Sequence, residues 1–225
     1  MPTFLPLKKM TFTIYLAFAL MSLLSAVAAL SIGAYYWRSL HIGLRVLVVL
    51  LLAGVAIDGY GLCLVYFHLV GDRIWLSVNH LLQFALVIFA LLQLGKDILL
   101  TRLYWLLNFL LFGYCLAWFA VLLFAPEWFK TPYVTPITYL LLLFAVTETA
   151  LQYQHTSSLS SSIPDRYVFF GFILYAFGTI LLHVVKQFIP PDSPSLVYIS
   201  HGIFAAIKNY CLIRAFLFDA WNPRQ

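Results

Sequence analysis

Charge is what this chain has least of. Charged side chains make up 9% of its 225 residues, against 64% hydrophobic ones. A water-soluble domain carries roughly a quarter charged residues, so this chain cannot coat a water-facing surface and lipid has to be part of its solvent. Basic runs are missing too. The formal net charge is +5, but the lysines and arginines are scattered. That excludes a nucleic-acid patch and suits topology signals in loops and attraction to anionic lipid. Cysteine is scarce as well: Cys63, Cys115 and Cys211 show no CxxC spacing, and each lies in an apolar run, where a small packing residue is the expected role. No stretch is left over for a soluble domain. Residues 1–225 therefore read as a single transmembrane domain, and any chemistry or signalling has to occur inside it, in its loops or through a partner.

What the chain does have is seven apolar segments near the roughly 20 residues that cross a bilayer. They lie at about 11–36, 46–67, 74–94, 103–124, 137–153, 167–188 and 196–218. Open sheets cannot exist in hydrocarbon, and these runs are too long and continuous for barrel strands. The expectation is an all-α, polytopic membrane bundle of seven transmembrane helices, multi-pass in a bacterial inner (cytoplasmic) membrane. Ser25-Ala26-Val27-Ala28 has the form of a signal-peptidase site, and its cleavage would leave six spans. The apolar run, however, continues to Tyr35, longer than a signal core. With the N-terminus outside, the inner side carries seven basic residues (Arg38, Arg45, Lys96, Arg102, Arg166, Arg214, Arg224) and the outer side five. That favours N-out, C-in. Trp128 and Tyr133 suit a headgroup-level aromatic belt.

Against this apolar background the polar residues inside the spans stand out. The last span carries Lys208 at its midpoint, with His201 seven residues earlier on the same face and Asn209 beside it. A charge at mid-membrane costs about 2.5–3.5 kcal/mol on insertion scales and needs partners. The second span holds Asp58 near its centre, with Gly54 and Gly61 close to its face. Small residues there predict a close helix–helix contact around Asp58. The third span carries a stripe of Ser77, His80 and Gln83, with Asn79 four before Gln83. The fourth has Asn108 as its strongly polar residue, and the fifth has Glu148, with Gln152 one turn on. The sixth shows Tyr175, Thr179, His183 and Lys186 as one polar face.

Positions along the spans place His80, His183 and His201 at similar depth, roughly 8–9 Å from one membrane face at 1.5 Å per residue. Asp58 and Lys208 both fall near mid-depth, and Glu148 lies towards the other face. Three arrangements fit. Asp58 and Lys208 pair as buried counter-ions while the histidines bond neighbouring helices, an arrangement compatible with a ligand pocket. Alternatively His80, His183 and His201 ligate a divalent metal with Asp58 as orienter or fourth ligand, which would activate water. Neither HxxxH nor HExxH is present for that reading. In the third, Lys208 forms a Schiff base with a retinal-like aldehyde. Phe204 then stands where microbial rhodopsins usually carry an aspartate.

Three stretches carry a resemblance: Asp58-Gly59-Tyr60, Asn79-His80-Leu81-Leu82-Gln83-Phe84, and the run from His201 to Ile207-Lys208-Asn209. There the chain resembles a family of small seven-helix bacterial membrane proteins common in Bacteroidetes. It departs from that family's pattern with Asp58 for glutamate, Asn79 for tyrosine and Gln83 for glutamate. The family's layout is similar to the seven-helix sensory modules of some bacterial histidine kinases, which implies a receptor-like role by analogy.

The expected function is a sensor, binding or accessory component acting through a signalling or membrane-protein partner. Its polar pocket would be built from the second, third, sixth and seventh helices, and the pocket or buried polar network would draw on Asp58, His80, Gln83, Glu148, His183, His201, Lys208 and Asn209. The alternative is a membrane-embedded metal-dependent hydrolase of a lipid or lipid-linked substrate. A transporter would need an internal repeat or broken helices, and no such repeat stands out.

Overall fold

Peptide groups in hydrocarbon have no water to bond, so apolar runs of this length close their backbone bonds within themselves, as helices. The computed structural model describes residues 5–66, 74–94, 101–124, 134–156, 163–185, 188 and 195–221. Among these are seven helices: α1 Leu5–Tyr35, α2 Ile42–Tyr66, α3 Ile74–Leu94, α4 Thr101–Phe124, α5 Val134–Thr156, α6 Ile163–Val185 and α7 Ser195–Trp221. No strand occurs among the described residues. Several helices run past the apolar segments that mark them. α5 starts three residues before its apolar run, at Val134-Thr135-Pro136, and α6 at Ile163-Pro164-Asp165. In both, proline occupies the first turn, where its missing N–H costs no helical bond. Asp165 adds a carboxylate at the positive end of α6 and is buried, accepting a hydrogen bond from the Tyr153 hydroxyl of α5.

The main packing pairs are α1 with α2, α2 with α3, α3 with α5, α5 with α6, α6 with α7, and α7 with α1. These six helices close a ring. α4 stands outside it against α3 and exposes Phe109, Phe112, Leu116, Phe119 and Leu123. The ring is tightest where glycine removes a side chain. A Cβ on Gly178 would come within 2.4 Å of the Phe204 ring, and one on Gly171 within 2.9 Å of the Cys211 Cβ. These two glycines bring α6 against α7 at the level of Lys208.

At the opposite end of α7, Asp219 is buried, and its carboxylate accepts the His41 N–H at 2.7 Å. His41 precedes α2, and its Nδ1 accepts the Gly43 N–H at 3.3 Å. The first N–H groups of α2 thus bond α7 and the capping side chain in place of water. Arg45 donates from Nε to the Leu40 carbonyl at 2.8 Å and from Nη2 to the Arg38 carbonyl at 3.0 Å. The short basic loop between α1 and α2 is folded by its own arginine.

Among the described residues four stretches are long and apolar enough to cross a membrane: Leu16–Tyr35, Ile42–Tyr60, Arg102–Val121 and Ile163–Val185. They suggest a membrane-embedded bundle. By this measure among the described residues, α3, α5 and α7 do not reach the count of seven expected from sequence. α3 contributes the shorter apolar stretch Leu81–Leu94. α5 carries Thr147, Glu148, Thr149 and Gln152, and α7 carries Lys208, Arg214 and Asp219. In α3 the stretch begins at Leu81 because the described side chains begin there; in α5 and α7 the polar residues themselves lower the hydropathy.

Candidate functional site

Inside the ring is a partly enclosed cavity of about 90 Å³. α2 lines it with Leu50, Leu51, Gly54 and Asp58, and α7 with His201, Ala205, Lys208 and Asn209. Gln83 of α3 and Tyr175 of α6 complete one side, and Ser22 and Ala26 of α1 the other. At roughly 15 Å³ per water, this volume holds about six waters. Drug-sized ligands ask for roughly 300–1,000 Å³.

Gly54 explains much of the space. A Cβ placed on it would meet nothing within 4 Å, and the same holds at Gly59. Small residues beside Asp58 were expected to bring a neighbouring helix close. Instead they leave the cavity open, and Asp58 is exposed. Gly61 lies outside the described side chains.

Lys208 is half-buried, and its ammonium lies 4.3 Å from the centroid of the Tyr175 ring and 6.0 Å from that of Phe172. The ring faces supply a cation–π attraction. Lys208 and Asp58 interact electrostatically, yet no ion pair between them is formed among the described residues. α2 and α7 are not a main packing pair, each flanking α1 instead, so the two charges line one cavity from separate helices. The expected buried counter-ion pair is therefore held apart.

The polar lining is otherwise well ordered. Tyr139 of α5 is buried behind the cavity and donates its hydroxyl proton to Gln83 Oε1 at 3.1 Å. That proton is then committed, so in the 3.2 Å contact between the Tyr139 and Tyr175 hydroxyls the donor is Tyr175. A chain of hydrogen bonds joins α6, α5 and α3 in this way. The His201 ring packs against Tyr175 with centroids 5.6 Å apart.

Asn209 is the one buried side chain left incomplete among the described residues. It is 2% exposed; Nδ2 donates to Ser25 Oγ at 2.9 Å, and Oδ1 has no partner. The amide orientation follows from the network: the Ser25 hydroxyl donates to the Ser22 carbonyl at 2.7 Å, so its oxygen must accept from Asn209. The orphan is thus an acceptor, a covered oxygen on a residue that lines the cavity. Leaving a buried acceptor without a donor costs about 1–3 kcal/mol.

Of the residues expected to form the pocket, Asp58, Gln83, His201, Lys208 and Asn209 line this cavity. Glu148 is half-buried on α5 and does not line it, nor does His183, half-buried in the last turn of α6. The side chain of His80 lies outside the described residues, as do those of Ser77 and Asn79, and Lys186 is likewise not described. Among the described residues no three histidine, cysteine, aspartate or glutamate side chains are grouped as a metal ion would need. Thr179, expected on a polar face of the sixth span, turns back to bond the Tyr175 carbonyl at 2.8 Å. Asn108 likewise bonds the Tyr104 carbonyl within α4 at 2.8 Å.

Sequence reasoning missed the contribution of α1. Ser22 and Ser25 sit in an unremarkable apolar run, and the usable signal was only that they are hydroxyl residues in a span.

The class these features define is an all-α helical bundle, with helices suited to a bilayer, built around a small polar cavity. Comparison with family models, with curated proteins and with solved structures finds no match, so residue roles have to be argued from the cavity itself.

Proposed function

We propose that the chain is a seven-span inner-membrane protein whose cavity binds a small polar ligand, and that it acts as a sensor or accessory component through a membrane-protein partner. The carrying observation is the conjunction of a cavity, an unpaired buried acceptor at Asn209 and two opposite charges held apart. Polar groups in a membrane bundle are expensive and mark ligand or ion sites. A purely structural pair would be stabilised by closing onto itself.

Seven spans are supported by helix length. α3, α5 and α7 have 21, 23 and 27 residues, about 31–40 Å at 1.5 Å per residue. They complete one ring with helices that meet the apolar criterion. The charges on α7 are individually accommodated: Lys208 over Tyr175, Arg214 over Phe218 at 5.0 Å, and Asp219 on the His41 N–H. The basic-residue asymmetry favours N-out, C-in. The resemblance to seven-helix sensory modules supports the sensor role, and with it a signalling partner, by analogy. The cavity's small volume favours a compact ligand over a long polyene attached to Lys208.

The test is native mass spectrometry of the protein released from native-lipid nanodiscs, beside a Gly54→Leu variant that fills the cavity. A small non-lipid adduct on the wild type that is lost in the variant supports the reading. Identical adduct-free spectra, with no partner captured by in-membrane cross-linking, would sink it.

A further inference from the structure

We infer that the cavity's ligand is a small zwitterion with one ammonium and one carboxylate, of the class of free amino acids. This rests on the ligand-binding reading above and narrows it.

The cavity wall carries one carboxylate, Asp58, and one ammonium, Lys208. They stand on helices that do not form a main packing pair, and no ion pair between them closes the gap. A ligand of single charge would satisfy one and aggravate the other. A cation bound at Asp58 places a second positive charge near Lys208, and an anion at Lys208 places a second negative charge near Asp58. In a low-dielectric setting either is unfavourable. A zwitterion compensates both and leaves the net charge of the cavity unchanged.

The hydrogen-bonding inventory agrees. Asn209 Oδ1 is a buried acceptor with no donor, and the Ser25 network fixes it as an acceptor. A ligand ammonium offers three N–H donors, enough for Asp58 and, with a small shift of the lining that uncovers its buried oxygen, for Asn209. The carboxylate then falls to Lys208, whose ammonium uses the Tyr175 ring face at 4.3 Å and keeps its donors for a ligand. Volume bounds the size. A cavity of about 90 Å³ takes about six waters at roughly 15 Å³ each, hence about five to seven non-hydrogen atoms. Asp58 lines the cavity and is exposed, so its carboxylate is open to a ligand.

The experiment uses the full chain in lipid nanodiscs. The probes are glycine, L-alanine, β-alanine and 4-aminobutyrate, with ethylamine and propionate as half-molecules. Binding is read by calorimetry and by the ligand-induced rise in unfolding midpoint. At least one zwitterion is expected to bind saturably and at least tenfold more tightly than either half. Gly54→Leu should abolish that binding. Asp58→Asn, a change at an exposed position, should weaken it at least tenfold while the unliganded variant keeps a cooperative unfolding transition. Binding of a half within tenfold of the best zwitterion overturns the inference, as does failure of all four zwitterions or unchanged binding in both variants. A neutral or singly charged adduct that Gly54→Leu removes overturns the zwitterion alone and leaves the ligand-binding function standing. Loss of every cavity-dependent adduct overturns both.

Discussion

Asn209, which lines the cavity, gives one side of its amide to Ser25 and keeps the other buried without a donor. Replacing Ser25 with alanine removes the acceptor for Nδ2 and strands that group too. The expected cost is about 1–2 kcal/mol, read as a lower unfolding midpoint in detergent, whereas a neutral change would mean the amide is held by other contacts. Lys208 and Asp58 make a sharper case. Lys208→Met removes the cation over Tyr175 and leaves Asp58 facing the cavity without an opposing charge. Because Asp58 is exposed, the loss should be about 1–2 kcal/mol, below the cost of breaking a buried contact pair. Adding Asp58→Asn should recover part of it, and strict additivity in the double-mutant cycle would show that the two charges do not communicate. At this scale the sequence was informative about Asp58, Gln83, His201, Lys208 and Asn209, because a polar residue in an apolar span is conspicuous. It was silent on Ser25 and Tyr139. A helical serine ordinarily bonds its own preceding turn, and only the fold shows that its oxygen also receives a side chain from 184 positions along the chain.

Two glycines on different helices have opposite meanings. Gly178 is a contact: a methyl there would press on the Phe204 ring at 2.4 Å, so Gly178→Ala should cost about 1–3 kcal/mol through overpacking. Gly54 is a space: its Cβ meets nothing within 4 Å, so Gly54→Ala should change stability by less than about 0.5 kcal/mol. Equal effects of the two substitutions on unfolding would contradict this assignment. The sequence pattern treated Gly54 as a contact glycine, since spacing reports a shared face and not what occupies it. α4 makes a third case. It rests against α3 alone among the main pairs and exposes Phe109, Phe112 and Phe119. Phe112→Lys at its exposed midpoint should impair membrane integration by about 2.5–3.5 kcal/mol, measurable with an insertion reporter. The helices themselves were legible because length and hydropathy dictate them; α5 and α6 start before their apolar cores, where a first-turn proline is tolerated without adding hydrophobicity.

Among the described residues six helices form a ring with a seventh outside it, and the cavity is lined chiefly by α2 and α7. The all-α class follows from composition, but the ring order does not, because every helix is apolar on several faces and pairing is decided by local fits such as Gly178 against Phe204. Depth arithmetic aligned the histidines and left their direction around each helix open, which is why His183 falls outside the lining while Tyr175, eight residues earlier, lies within it. The account rests on a polar cavity whose two charges are kept apart for a third party. An experimental structure of the protein in a lipid nanodisc tests that most directly. The account predicts non-protein density in the cavity within hydrogen-bonding distance of Asn209 Oδ1, with the Lys208 ammonium and the Asp58 carboxylate not in contact. A collapsed cavity with Lys208 bonded directly to Asp58 would contradict it.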